Sequence, residues 1–346
     1  VSVTLHLDTE AWRQHLRTSC QQTPGLVPVA KGNGYGYGLQ RLAQEATLLA
    51  GEDLGVDVLA VGTQPEVERV RAGGWADDIV VLTPWSPADG TEVLHDDRVI
   101  STIAGLDDLA AARRERPDAR ILVEVMTSMR RHGLAVEDLD RLRDRLGELR
   151  LEGWTIHLPM VADDRLGEAR ALAAATLSVA RAPLWLSHLS AEEYRSIADE
   201  VSVPTRLRVG TKLWLGAPAT RRTTARVLDV HPVRRGERIG YWQRRMPTDG
   251  WVVVVSGGTA HGIALAAPTA ASSLRQRAIS VATGSLEAAG LALSPYTLAG
   301  RKRFFVEPPH MQSSLVFLPG AGRVAVGDEV PVELRLTTAT VDRIDG

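Results

Sequence analysis

Val27-Pro28-Val29-Ala30-Lys31-Gly32-Asn33-Gly34-Tyr35-Gly36-Tyr37-Gly38 joins a short apolar strand to a glycine-rich turn through a lysine. A short apolar run reads as a buried parallel strand, and in barrel enzymes the reacting groups stand where such strands give way to loops. Lys31 is set at that point among apolar residues, where partial loss of hydration lowers an ammonium's pKa and frees the amine as nucleophile or base. Strand-end lysines more often snorkel to water; here the neighbours argue otherwise. Four glycines occupy the seven positions after Lys31, so the backbone can approach a bound group, and Tyr35 offers a rigid phenol to an oxyanion.

Outward from this stretch the chain alternates strand and helix patterns. Strands are read at 27–30, 56–61, 79–82, 98–101, 120–126, 151–157, 184–187 and 206–209, with helices at 40–50, 65–72, 106–115, 136–149 and 164–180. Eight strands in this rhythm predict a closed (β/α)8 TIM barrel over about residues 9–220. From about residue 221 to 346 the text turns β-rich, with runs at 225–233, 251–255, 304–306, 315–318 and 330–338. This predicts an α/β chain, a barrel followed by a mostly β C-terminal domain, with an Ala-rich helical insertion at about 263–300. The alternating Val-Thr-Leu-His-Leu at 3–7 precedes an amphipathic helix at 10–22 capped by Asp8 or Thr9. That strand lacks a neighbour nearby, so residues 1–8 are assigned to the C-terminal β domain.

Forty Lys and Arg nearly balance 42 Asp and Glu, for a net charge of -2, and the basic residues are scattered. Neither nucleic acid nor an anionic membrane is indicated as a partner; small molecules are. No stretch approaches the ~18 apolar residues of a membrane span, and no leader pattern opens the chain, which predicts a cytoplasmic protein. The single cysteine, Cys20, excludes an internal disulfide and a Cys-based metal site, and it reads as helix packing. No metal is expected.

The Lys31 stretch resembles the cofactor-lysine motif of the alanine racemases, pyridoxal 5'-phosphate enzymes built on a (β/α)8 barrel. The resemblance implies that Lys31 anchors the cofactor covalently and that Tyr35 contacts its phosphate. Further segments resemble the family. In Glu124-Val125-Met126-Thr127-Ser128-Met129-Arg130-Arg131 the matching arginine is Arg131, which would reach the cofactor's phenolic oxygen and the substrate carboxylate. Glu124 stands where many relatives carry a lysine, sometimes carbamylated, and would set a carboxylate against Arg131. His157, ending Gly153-Trp154-Thr155-Ile156-His157, takes the place of the histidine on the pyridine face, and Ser190 in Ser187-His188-Leu189-Ser190-Ala191 that of a phosphate-binding serine. Arg206-Leu207-Arg208-Val209-Gly210-Thr211 places Arg208 on the pyridine nitrogen and Gly210 and Thr211 on the phosphate.

In the β-rich half, Gly236-Glu237-Arg238-Ile239-Gly240-Tyr241 resembles the segment with the catalytic tyrosine, which acts on the other subunit's cofactor. A racemase must take a proton from one face of Cα and return one to the other, so Lys31 and Tyr241 form an opposed pair in a head-to-tail homodimer. In Pro309-His310-Met311-Gln312, Met311 matches a residue whose amide holds the substrate carboxylate. Departures lie in the substrate corridor: Gly258-Thr259-Ala260-His261-Gly262 replaces Gly-Tyr-Ala-Asp-Gly, Gln312 replaces an aspartate, and a late phosphate-contacting tyrosine is not found. The resemblance implies an isomerase acting on an amino acid. The alternatives are a decarboxylase on the same barrel, which would place an acidic residue on the pyridine nitrogen, and a non-catalytic pyridoxal-phosphate carrier, which would lack the β domain.

Overall fold

Runs of Val, Ile, Leu and Ala bounded by turn residues make strands buried on both faces, the condition of parallel strands under helices. In the computed structural model, which describes residues 2–265 and 292–346, a first strand β1 (Val3–Leu7) is followed by eight such strands. They are β2 (Leu26–Pro28), β3 (Val58–Val61), β4 (Asp78–Val81), β5 (Val99–Ile103), β6 (Arg120–Val125), β7 (Arg150–Ile156), β8 (Leu184–Ser187) and β9 (Thr205–Val209). Between them run α1 (Thr9–Gln22), α2 (Leu39–Gly51), α3 (Pro65–Ala72), α4 (Glu92–His95), α5 (Leu106–Glu115), α6 (Leu139–Arg143), α7 (Arg165–Val179) and α8 (Ala191–Glu200), with α9 (Thr211–Leu215) after the last strand.

All pairings are parallel, in the order β2-β9-β8-β7-β6-β5-β4-β3, and a bridge between Val29 and Ala60 closes the ring. Val27, Val29, Val58, Ala60, Val80, Ile100, Leu122 and Trp185 fill the interior, so the barrel is a packed core whose chemistry belongs at its rim. At that rim the Val29 amide still donates to Val209 O (3.0 Å), whereas the Ala30 amide switches to Ala60 O (2.8 Å). Lys31 is therefore the first residue past the point where the chain changes partner strands. The sequence reading of one helix over 136–149 is corrected: a 3-10 turn at Val136–Asp138 leads into α6, which ends at Arg143. The amides of Arg145 and Leu146 both return to Leu142 O, and Gly147 enters the left-handed region at φ 58°. Leu139 and Leu142 are the buried residues of that helix, too few to hold a longer one.

The chain divides into two compact units, residues 13–216 and residues 1–12 with 217–346. The second contains β10 (Arg221–Val233), β11 (Arg238–Ile239), β12 (Arg244–Arg245), β13 (Gly250–Ser256), β14 (Leu293–Leu298), β15 (Arg301–Phe304), β16 (Ser313–Pro319), β17 (Glu329–Pro331) and β18 (Arg343–Asp345). Its main sheet runs β16-β13-β10-β1-β18, with β17 on β10. Here β1 pairs antiparallel with β10, from Val3 opposite Ala225 to Leu7 opposite Arg221, and parallel with β18. Val3, Ala225, Val227, Val253, Val255, Tyr296, Phe305 and Val316 form the core of this unit. The helical insertion read at 263–300 falls largely outside the described residues. Its last part is corrected, since Leu293–Leu298 is a strand hydrogen-bonded to β15. Alternate residues Ser294, Tyr296 and Leu298 are buried there, a two-residue period that Pro295 and the preceding alanines obscure.

Candidate active site

Lys31 is exposed at the barrel mouth, yet its amine is held below the ordinary lysine range, first by lost hydration, then by the Arg131 and Arg208 guanidinium groups. Glu66 pulls the other way. The turn after it is tightly built. Tyr35, in the 3-10 turn Gly34–Gly36, adopts φ 55° and ψ 31°, a left-handed conformation that is costly for a tyrosine and persists only where surroundings impose it. Its phenol is buried against Gly210, where a Cβ would lie 2.1 Å from the hydroxyl oxygen. Burial and the nearby Glu66 push the phenol up to about 12, so it remains a donor at neutral pH.

Arg208 shares an inward face of β9 with Arg206 and is buried, and its Nε and Nη2 have no hydrogen-bond partner among the described residues. Desolvation lowers it to about 10, with Glu124 opposing and Arg131 adding to the fall; the group stays charged at neutral pH. Glu124, on the same face of β6 as the interior residue Leu122, is also buried. Burial raises its pKa against the pull of Arg208, Arg131 and His132. Arg131 Nη2 lies 4.0 Å from Glu124 Oε1, a charge contact rather than the hydrogen-bonded pair that glutamate at this position suggests. The reach is short because glutamate ends before the Arg131 turn, which is held elsewhere: Thr127 Oγ1 donates to His157 O at 2.9 Å and Ser128 Oγ to Glu168 Oε2 at 2.8 Å.

His157 follows β7 with its Nδ1 2.8 Å from Ser187 Oγ, and the His188 ring packs edge-on at 5.0 Å between centroids. Loss of hydration, then Arg208 and Arg131, push His157 down to about 2, so its imidazole is neutral. His188, at φ 60°, is lowered by lost hydration, then by Arg208 and Lys31. Ser190 caps α8. Its Oγ accepts from the Glu193 amide (3.1 Å), while its own amide donates to Glu193 Oε2 (2.6 Å). A cavity of about 350 Å³ reaches from His188 and Ser190 to Gly210, Thr211 and Lys212, so the backbone start of α9 and the cap of α8 face one space.

In the other unit Tyr241 is 84% exposed and Met311 70% exposed. The Tyr241 amide donates to Glu307 Oε2 at 2.6 Å, His310 Nε2 lies 2.8 Å from Glu307 Oε1, and the Tyr241 and His310 rings are 4.9 Å apart. Met311 O accepts from the Ala260 amide at 3.1 Å. His261 is buried with Nε2 3.2 Å from both carboxylate oxygens of Asp342, whose Oδ2 also accepts from the Val3 amide. This histidine of the altered corridor segment thus ties β1 to its neighbours.

The family profile "Alanine racemase, N-terminal domain" matches residues 7–210, and an alanine racemase of Nitratidesulfovibrio vulgaris is 31% identical over 277 residues, 72% of this chain and 73% of that protein. The chain belongs to the alanine racemase family. An alanine racemase of Campylobacter jejuni is 26% identical over 158 residues, 44% of each chain. Among solved structures, alanine racemase from E. faecalis superposes with a TM-score of 0.69 at 22% identity over 96% of this chain and 88% of that one. One from Bacillus anthracis with bound L-Ala-P gives 0.71 at 17%, over 96% and 85%.

Two buried carboxylates beside the candidate site residues of this alanine racemase family member escaped the sequence reading. Glu66, in the first turn of α3, accepts from the amides of Gly32 (2.6 Å), Gly62 (2.6 Å) and Thr63 (3.1 Å). Glu307 holds the Tyr241 backbone as described. Nothing local marks Glu307. The signal that could have found Glu66 is Gly62-Thr63-Gln64-Pro65-Glu66, an acidic residue just inside a helix that opens on proline. The lysine count could have sharpened Lys31, for the sequence contains only Lys31, Lys212 and Lys302.

Proposed function

We propose that this chain is a pyridoxal-phosphate-dependent amino-acid racemase of the alanine-racemase type, working as a homodimer. Membership of the family supports an amino-acid racemase; the observation that carries the cofactor is Arg208. Two donors of a buried guanidinium without partners require an acceptor, and the ring nitrogen of pyridoxal phosphate is one. Gly210 supports the same reading, because a side chain there would fill the space beside the Tyr35 hydroxyl. Lys31 would hold the cofactor covalently, His157 would lie on its ring, and Tyr35, Ser190, Gly210 and Thr211 would bind its phosphate. Bound there, pyridoxal phosphate would draw electrons from the substrate and make its Cα proton acidic.

The chain's own residues supply the rest. Lys31, with its proton affinity reduced, takes the proton on one face of Cα at its Nζ. Tyr241 of a second copy returns a proton from its hydroxyl on the opposite face, and the exchange of roles gives the reverse reaction. Arg208 remains charged, so with the cofactor bound it would donate to the ring nitrogen without handing it a proton, which would favour proton return at Cα. Arg131, half-exposed beside Glu124, binds the substrate carboxylate. The test is chiral analysis after the cofactor-loaded protein is incubated with each common L-amino acid. L-Alanine should approach an equal mixture of enantiomers, with Tyr241→Phe slower by about 10²-fold; no interconversion of any amino acid would overturn the reading.

A further inference from the structure

Lys31 faces Arg208 from β9, Arg131 from the turn after β6, His157 and His188 from the ends of β7 and β8, and Glu66 from α3. Glu66 is the one acidic side chain in this set. Its carboxylate is buried, and all three of its backbone donors flank the lysine: Gly32 follows it in sequence, and Gly62 and Thr63 lie on the adjoining loop. That loop touches the lysine directly, since a Cβ on Gly62 would lie 3.1 Å from Lys31 Cβ and 2.9 Å from Glu66 Oε2.

We propose that Glu66 is a positioning residue for Lys31, its carboxylate gathering three backbone amides so that the turn after the lysine and the loop against its stem are fixed as one piece. The inference deepens the reading of Lys31 as cofactor anchor and proton carrier, and rests on it. A carboxylate held by several amide protons is fixed in place, and here its charge opposes the two arginines acting on the amine. Glu66 thus does two things to one nitrogen: it sets its location and steadies its protonated form.

These effects separate in the cofactor-free full chain by competitive acetylation with peptide mapping, because Lys31, Lys212 and Lys302 each report individually. Glu66→Gln keeps the size and one acceptor but removes the charge. At neutral pH Lys31 should be acetylated about threefold faster or more, as weaker support for the ammonium exposes more free amine, with Lys212 and Lys302 unchanged. Retention of pyridoxal phosphate during dialysis against a competing amine should fall about tenfold, since the amine is more reactive but less well placed. Glu66→Asp retains the charge with a shorter stem, so Lys31 acetylation should stay near the wild-type rate while retention falls; this variant decides the matter if Glu66→Gln does not fold. Unaltered Lys31 acetylation in folded Glu66→Gln, or wild-type retention in Glu66→Asp, overturns the proposal and leaves Glu66 as a helix-start contact. Failure of the underlying reading is distinct: borohydride would then fix the pyridoxyl group on a residue other than Lys31, whatever the acetylation rates show.

Discussion

Arg206 and Arg208 sit two residues apart on the same face of the same strand, and their surroundings treat their charges in opposite ways. Arg206, toward the start of β9, pairs with both carboxylate oxygens of Asp57, 2.8 Å from Nη2 to Oδ2, and lies 5.0 Å over the Trp185 ring. Around it the N-terminal ends of the strands are stitched together: Arg120 Nη2 donates to Asp78 (2.6 Å) and Nε to Glu152 (2.7 Å). These contacts raise both arginines above their ordinary range and lower Asp57 and Asp78. At the C-terminal ends the signs reverse. Lys31, His157 and Arg208 are lowered and Glu124 raised, each disfavoured in its charged form by lost hydration. One end of the barrel satisfies its charges to hold the strands, whereas the other withholds partners from them, and a ligand can supply what is missing.

The largest effect that follows is at Lys31. Lys31→Ala should abolish covalent attachment of pyridoxal phosphate, read as loss of the borohydride-fixed pyridoxyl peptide. Arg208→Met should cost about 10²-fold or more in activity, while the cofactor-free protein melts no lower than wild type, because an unpaired buried charge has been removed. Arg120→Met should do the reverse, destabilising by about 3 kcal/mol as Asp78 and Glu152 lose their shared partner. Denaturant unfolding and initial rates on the three variants would break the comparison if Arg208→Met proved the less stable. Glu124→Gln should lower activity about tenfold and cofactor affinity less, through looser orientation of Arg131 rather than loss of a direct hydrogen bond. Unchanged activity in that variant would make Glu124 a structural residue.

The smallest effect is a slope. His157 is lowered to about 2 in the folded protein from an ordinary 6.5, so between those values the unfolded chain binds a proton that the folded one does not. Its contribution to stability is present above about 6.5 and is lost as pH falls below it. His157→Asn should therefore show a smaller drop in melting temperature between pH 7 and pH 5 than wild type.

Most of the barrel was readable because its strands are continuous apolar runs, as in Ile121–Val123 or Leu184–Leu186, which require burial on both faces whatever lies beyond. The placement of Lys31, Tyr35, Arg208 and Gly210 at the strand ends was readable because it depends on short-range sequence. Glu66 and Glu307 were not, since the contact that ties each to the site is to a backbone amide 34 or 66 residues away that the sequence does not name. The strand Leu293–Leu298 was hidden by composition: its buried period is sound, but Pro295 and the alanines before it speak for other structures. Helix length between 136 and 149 failed for a related reason, as charged residues that suit a helix surface do not reveal how little lies beneath it.

The seat of β1 between β10 and β18 also has a consequence during synthesis. An interior strand of the second unit leaves the ribosome ahead of the barrel, and its neighbours arrive only after residues 8–220 have been made. At ~5–20 residues per second that delay is about 10–40 s, throughout which both edges of the strand lack their native partners. Five residues is short for a sticky edge, and Thr4 and His6 interrupt its apolar side chains. The same weaving means that a protease cut within residues 13–216 need not free the β unit from its first strand, since β1 is held there by two ladders rather than by the chain that follows it.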